Sequence, residues 1–171
     1  MYYKKDKINS NVQKNSQKIL SAGQLIDDLD KRIIRELLVD SRLSYRQIAR
    51  KLKISPNTVL SRIKQLCSKG IIKFYTTILD HEKLGYELTV VTEITVSKGK
   101  LLETDKLVAK MPGVCAVYDV TGASDAIVIA KFKTRKELSE FTKGLLSMPF
   151  VERTNTHVVL TTVKEDFRLV P

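Results

Sequence analysis

A two-part α+β fold is predicted by three features of this sequence. Residues 29–69 place apolar side chains at helical spacing, broken by two short turns. Residues 86–163 change to alternating apolar and polar positions, separated by two more helical stretches. In that second half the motif Met-Pro-x-Val occurs at 111 and again at 148, a 37-residue offset, each time after a helical stretch and before a strand.

The first helix opens near Leu29. Leu29, Ile33, Ile34, Leu37 and Leu38 make one apolar face, and Asp27, Asp28 and Asp30 complement the positive end of its dipole. Ser44 is a side-chain cap for a second helix carrying Ile48, Ala49 and Leu52, and Gln47 stands at the spacing of a capping box. Ser55 caps a third helix. Pro56 suits its first position because the missing N–H has no partner to lose there. This helix runs to about Lys69, with Val59, Leu60, Ile63, Leu66 and Cys67 apolar, and Gly70 is the expected stop. Three helices in about forty residues, the last two joined by a tight turn, make a helix-turn-helix of winged-helix-like type. Ile71–Leu79, apolar and β-branched, reads as a strand leaving this unit, and Asp80–Gly85 as a turn.

The second half reads as strand Tyr86–Val96, helix Leu101–Lys110, a strand after Gly113, strand Asp125–Lys133, helix Arg135–Ser147 and a final strand after Phe150. That order is a ferredoxin-like βαββαβ domain built from a duplicated βαβ unit. Both helices then cover one face of the sheet. Ile127 and Ile129, with Val159 and Val163 from the last strand, leave the other face apolar and uncovered, which predicts a homodimer through this half. The division expected is a mobile basic arm over 1–24, the DNA-binding domain over 25–73, a strand and linker over 74–85, and the ferredoxin-like domain over 86–171.

Charge points to the partner. The chain carries 30 Lys+Arg against 19 Asp+Glu, net +11, yet residues 1–80 hold 17 of the basic and 7 of the acidic groups. A basic block in one half fits a polyanion, and with a helix-turn-helix that polyanion is double-stranded DNA. On the third helix Asn57, Thr58, Ser61, Arg62 and Gln65 are the candidates for reading base edges, Arg62 by a bidentate contact to guanine and Asn57 or Gln65 to adenine. Arg46, Arg50, Lys53, Lys64 and Lys69, with Ser44 and Ser55 at the helix starts, are the candidates for phosphate contacts. No apolar run approaches a membrane span, and the N-terminus has no signal-peptide pattern, so a cytoplasmic protein is expected. Two cysteines and two histidines make neither a disulfide framework nor a zinc site, and Cys67 and Cys115 read as small buried hydrophobes. No metal and no cofactor is expected.

The sequence resembles the leucine-responsive/asparagine-synthase-C (Lrp/AsnC, feast/famine) family of prokaryotic transcription regulators over about Leu25–Val163. The resemblance is carried by Leu29-Asp30, Ser55-Pro56-Asn57-Thr58-Val59, Arg62-Ile63-Lys64-Gln65-Leu66, Lys69-Gly70-Ile71-Ile72, Leu79-Asp80, Lys83-Leu84-Gly85, Val120-Thr121-Gly122 with Asp125, and Thr154-x-Thr156. It implies a dimerising regulatory domain, assembly of dimers to tetramers or octamers, and a small effector, usually an amino acid, bound between dimers. Mapped here, the effector-binding loop is Thr121, Gly122, Ala123, Ser124 and Asp125, with Thr154 and Thr156 approaching from a neighbouring subunit. Backbone N–H groups around Gly122 suit a carboxylate, and Asp125 an α-ammonium. Ala123 and Ala126 are smaller than the residues common in the family at those places, which changes the pocket wall.

Two other functions fit parts of the pattern. An architectural protein would compact DNA through the same basic helices with little sequence preference. A tetrapyrrole decarboxylase on the same fold would want His and Arg around a large pocket. The second half offers no nucleophile–base pair, metal cluster or Gly-rich phosphate loop, so no catalytic residue is assigned.

Overall fold

The computed structural model describes residues 26–97, 99–169 and 171. The arm read over 1–24 lies outside the described residues. The chain divides into two compact units. Among the described residues, one comprises those up to Thr77 together with those from Asp166 onward; the other is Ile78–Glu165.

In the first unit α1 (Asp28–Val39), α2 (Tyr45–Leu52) and α3 (Pro56–Ser68) follow the predicted order. Their starts are set by local chemistry. Asp27 accepts from the Asp30 N–H at 2.8 Å while the Asp30 carboxylate accepts from the Asp27 N–H at 3.2 Å, a reciprocal capping box. Ser44 and Gln47 form the same arrangement on α2, and Ser55 caps α3 with Pro56 in its first turn. After α3, Gly70 takes φ +71°, and the N–H groups of Ile71 and Ile72 turn back to the Leu66 carbonyl. Ile33, Ile48, Ala49, Leu52, Val59 and Ile63 form the core of this unit. Each large side chain removed from water there contributes about 1.5–3 kcal/mol. The C-terminal segment joins this unit at α1: Arg35 donates to the Pro171 carbonyl at 2.6 and 2.9 Å, and Arg168 to the Leu38 carbonyl at 3.4 Å.

Residues 71–79 correct the sequence reading. They form no strand; the segment has no ladder partner among the described residues, and Phe74 and Ile78 are each 69% exposed. β-Branched composition gives a segment the preference for a strand but not the neighbouring edge that makes one.

The second unit begins with a single 3₁₀ turn at Glu82–Leu84 and continues as β1 (Leu88–Val96), α4 (Leu101–Val108), β2 (Val114–Asp119), β3 (Ala126–Phe132), α5 (Arg135–Leu146) and β4 (Val151–Val158). The sheet order is β2-β3-β1-β4, with every neighbouring pair antiparallel, as a ferredoxin-like βαββαβ domain requires. Its inner face buries Val90, Ile94, Val96, Val128, Ala130 and Phe132 against Val108 of α4 and Phe141 and Leu145 of α5. Thr92 lies fully buried in that apolar row, and its hydroxyl is satisfied by the Thr156 hydroxyl at 3.1 Å.

The sequence repeat is also a repeat of geometry. Met111 N–H donates to the Val108 carbonyl and Met148 N–H to the Leu145 carbonyl; Val114 N–H then returns to Met111 and Val151 N–H to Met148. Each Met-Pro turn therefore ends a helix and starts a strand by the same two hydrogen bonds.

The outer face is apolar only in part. Val91, Ile127, Ile129, Ala116 and Tyr118 share it by register, but β4 contributes Arg153, Asn155 and His157. Here the reading of the last strand is corrected: β4 ends at Val158, and Leu160 and Val163 lie beyond it, 95% and 94% exposed. β1 begins at Leu88, so the ladder has nothing left to pair with after the Val159 N–H meets the Thr89 carbonyl. Both cysteines are exposed, against expectation. Cys67 sits past the edge of the α3 core face formed by Val59, Ile63 and Leu66, and Cys115 falls where the β2–β3 register slips between Val114 and Ala116.

Candidate nucleic-acid interface and effector loop

The third helix presents one polar face. Asn57, Ser61, Lys64 and Gln65, at i, i+4, i+7 and i+8, are exposed together, opposite the buried Val59, Ile63 and Leu66. Arg46 and Arg50 on α2 and Lys53 in the turn are exposed as well, and none of the three is in an ion pair among the described residues. By contrast Lys51 is bound to Glu36 at 2.6 Å and Arg42 to Asp40 at 2.9 Å. Of the cations that sequence reading assigned to phosphate, Arg46, Arg50, Lys53 and Lys64 are exposed and make no ion pair among the described residues, and Lys69 is exposed at the end of α3. Ser44 and Ser55 spend their hydroxyls as caps, and the Thr58 hydroxyl lies 2.8 Å from that of Ser55, so Thr58 faces the helix start more than solvent.

Arg62, read from sequence as a base-reading residue, is engaged within the chain. Its guanidinium binds the Asp27 carboxylate and reaches Asp30 at 3.4 Å, pinning α3 to the N-terminal cap of α1. Asp30 is only 4% exposed. The Asp30 N–H, and with it the Arg62 guanidinium, holds the Asp27 carboxyl below its ordinary range. Arg62 therefore has a fixed intramolecular partner where a base-reading residue would be open. Its place at i+4 from Thr58, off the exposed stripe, was the only signal in the sequence.

Lys53 carries a second signature. It caps α2 in the left-handed region at φ 57°, the one described non-glycine residue with positive φ. Replacing it with glycine removes a conformational cost of about 1–2 kcal/mol and removes a cation. Lys53→Gly is expected to hold or raise the denaturation midpoint while weakening binding to every DNA sequence alike, read by titration on specific and random duplexes. Weakening confined to one sequence would contradict a phosphate role.

In the second unit the loop Thr121–Asp125 connects β2 and β3. Thr121, Gly122 and Ala123 are exposed; Ser124 and Asp125 are half-buried. Gly122 adopts φ +138° with open space where a Cβ would project. Asp125 closes the loop: one carboxylate oxygen accepts from Val96 N–H at 2.8 Å, its own N–H donates to the Ile94 carbonyl at 2.9 Å, and its carbonyl accepts from Val120 N–H at 3.0 Å. Thr154 lies across from Ile94 on β4, at the same end of the sheet and in the same chain. Thr156 lies one step farther along that face and is already engaged with Thr92. Sequence reading missed Asp105 on α4, whose carboxyl is pushed up by burial and by the nearby charge of Asp119, the residue that ends β2 before this loop.

Comparison with known proteins decides the family. Residues 26–73 match the winged helix-turn-helix DNA-binding model and residues 89–169 the Lrp/AsnC ligand binding domain. An HTH-type transcriptional regulator of Pyrococcus abyssi is 50% identical over 147 residues, covering 86% of this chain and 100% of the relative. The chain belongs to the Lrp/AsnC family. The solved structure of Bacillus subtilis LrpC is 32% identical with a TM-score of 0.73, over 82% of this chain and 99% of LrpC. A transcriptional regulator of Neisseria meningitidis, solved as a complex with L-Met, is 28% identical with a TM-score of 0.77, over 84% and 96%. This Lrp/AsnC chain is accordingly a transcriptional regulator with a helix-turn-helix DNA-binding part and an Lrp/AsnC ligand-binding part. Among the described residues no helix is long and apolar enough to cross a membrane.

Proposed function

We propose that this Lrp/AsnC regulator binds double-stranded DNA in a sequence-specific way as a homodimer, with α3 in the major groove. The observation that carries this is the single exposed face of Asn57, Ser61, Lys64 and Gln65 beside the unpaired cations Arg46, Arg50 and Lys53. Amide and hydroxyl side chains there match base edges, and the cations match phosphates on either side. The part-apolar outer face of the sheet and the exposed Phe74 and Ile78 support pairing of two copies, which sets two α3 helices to read half-sites related by a twofold axis. Assembly of dimers to tetramers or octamers belongs to the same proposal, as does action by binding alone, without catalysis.

We propose further that an amino acid modulates the DNA-binding state through the Thr121–Asp125 loop. Gly122 supplies an exposed turn whose N–H groups suit a carboxylate, and the complex of the meningococcal relative with L-Met supports the ligand class. With one oxygen of Asp125 holding Val96, only the other remains for an α-ammonium.

Footprinting on the DNA upstream of the regulator's own gene, against random DNA, with and without single amino acids, tests both. Expected are protected half-sites spaced by about one helical turn or a multiple, shifted by one amino acid. Uniform coverage without preferred sites would replace the regulator with the architectural reading.

A further inference from the structure

A cavity of about 360 Å³ lies in the second unit at the end of the sheet away from the effector loop. That size falls in the ~300–1,000 Å³ range of small-ligand sites. β3, 7 residues long, separates the two places by about 20 Å at ~3.3 Å per residue. The floor of the cavity is apolar, made by Met111, Phe132 and Phe141 with the ring of Tyr86. Two opposite charges stand on its wall. The Lys133 ammonium lies 5.0 Å from the Tyr86 ring centroid and makes no ion pair among the described residues. Among the described residues Glu140 on α5 has only a loose contact to Lys136 at 4.0 Å. Glu137 also lines the cavity, and one of its carboxylate oxygens accepts from the Lys133 backbone N–H at 2.8 Å.

We infer that this cavity is a second small-molecule site, for a free α-amino acid with an apolar side chain. Lys133, just before the first turn of α5, takes the α-carboxylate. Glu140 takes the α-ammonium. The apolar side chain rests on Phe132, Phe141 and Met111. The inference concerns residues outside the effector loop and does not depend on that loop binding anything.

The test is calorimetric titration of the whole chain with L-methionine, L-leucine and L-phenylalanine, one at a time. At least one is expected to bind saturably. Lys133→Ala and Glu140→Ala, both substitutions of exposed side chains, should each weaken that binding by about tenfold or more, as loss of a charge-assisted contact does. Lys133→Arg should retain most of it. The N-acetylated and the amidated forms of the same amino acid should bind as poorly as the two variants allow. No saturable heat with any of the three amino acids overturns the inference, as does binding untouched by both charge variants. Binding lost in Asp125→Ala but kept in Lys133→Ala assigns the ligand to the loop instead and also overturns it. Footprints are read separately, so failure here leaves the DNA-binding proposal to its own experiment.

Discussion

Gly113→Ala is expected to destabilise the ferredoxin-like unit more than any other single-methyl addition among the described glycines, by roughly 2–5 kcal/mol. Two costs combine. Gly113 sits at φ +81°, where an L side chain pays about 1–2 kcal/mol. A Cβ there would stand 2.6 Å from the Phe132 ring and 2.7 Å from the Lys131 carbonyl, and forcing a methyl into a packed core costs about 1–3 kcal/mol. Neither neighbour yields easily. Phe132 is buried against Phe141, their ring centroids 5.1 Å apart, and the Lys131 N–H is bonded to the Gly113 carbonyl at 2.9 Å. The corresponding place in the second Met-Pro turn is Phe150, which is absent from the positive-φ residues, so the duplication shares hydrogen bonds but not this constraint. Urea denaturation of Gly113→Ala beside Gly85→Ala checks the argument. Gly85 has nearly the same φ, +85°, but open space around it, so it isolates the conformational cost. Equal midpoint shifts in the two variants would falsify the packing half.

What the sequence made legible follows the range of the interactions. Helix starts were readable because Ser44–Gln47 and Ser55–Pro56 complete their caps within three residues. The sheet was readable because the Met-Pro turns repeat and because alternation marks the buried row of β1 and β3. Features that depend on distant partners were not. Residues 71–79 have the composition of a strand, but their edge partner is absent from the chain's own sheet. Lys131, on the outer face, looks like a solvated lysine. It is 7% exposed, bonded to Glu165 at 2.9 Å and Thr89 at 3.4 Å, because the chain returns past β4 to cover it. Of the effector loop, position and glycine were legible. That Asp125 serves first as the partner of Val96 depends on the bulge between Thr95 and Val96, which leaves that N–H out of the ladder.

Arg62→Ala is expected to lower stability rather than sequence preference, while Gln65→Ala and Asn57→Ala do the reverse. Arg62 lies 35 residues from Asp27 in sequence, and its guanidinium is about one-third exposed. Removing it leaves the buried Asp30 carboxylate to its one cap hydrogen bond. Loss of a cation from a buried carboxylate costs several kcal/mol, and partial access of solvent to this pair reduces that to about 1–2 kcal/mol. The contact of Arg62 with Asp27 sets an acid limb. Asp27 titrates lower in the fold than its ordinary 3.8, so its contribution is fully present above that value and is drawn down as pH falls below it. In Arg62→Ala the limb should be shallower, because the Arg62 guanidinium is gone and only the N–H groups of Asp30 and Leu29 still depress Asp27. Gln65→Ala and Asn57→Ala touch exposed side chains and should leave the denaturation midpoint in place; each removes about 1–3 kcal/mol of discrimination at a single base step. Denaturation at two pH values and duplex binding over single-base variants separate these outcomes. A stable Arg62→Ala that loses preference at one guanine would return Arg62 to base reading, and would require DNA to break its bond to Asp27 on binding.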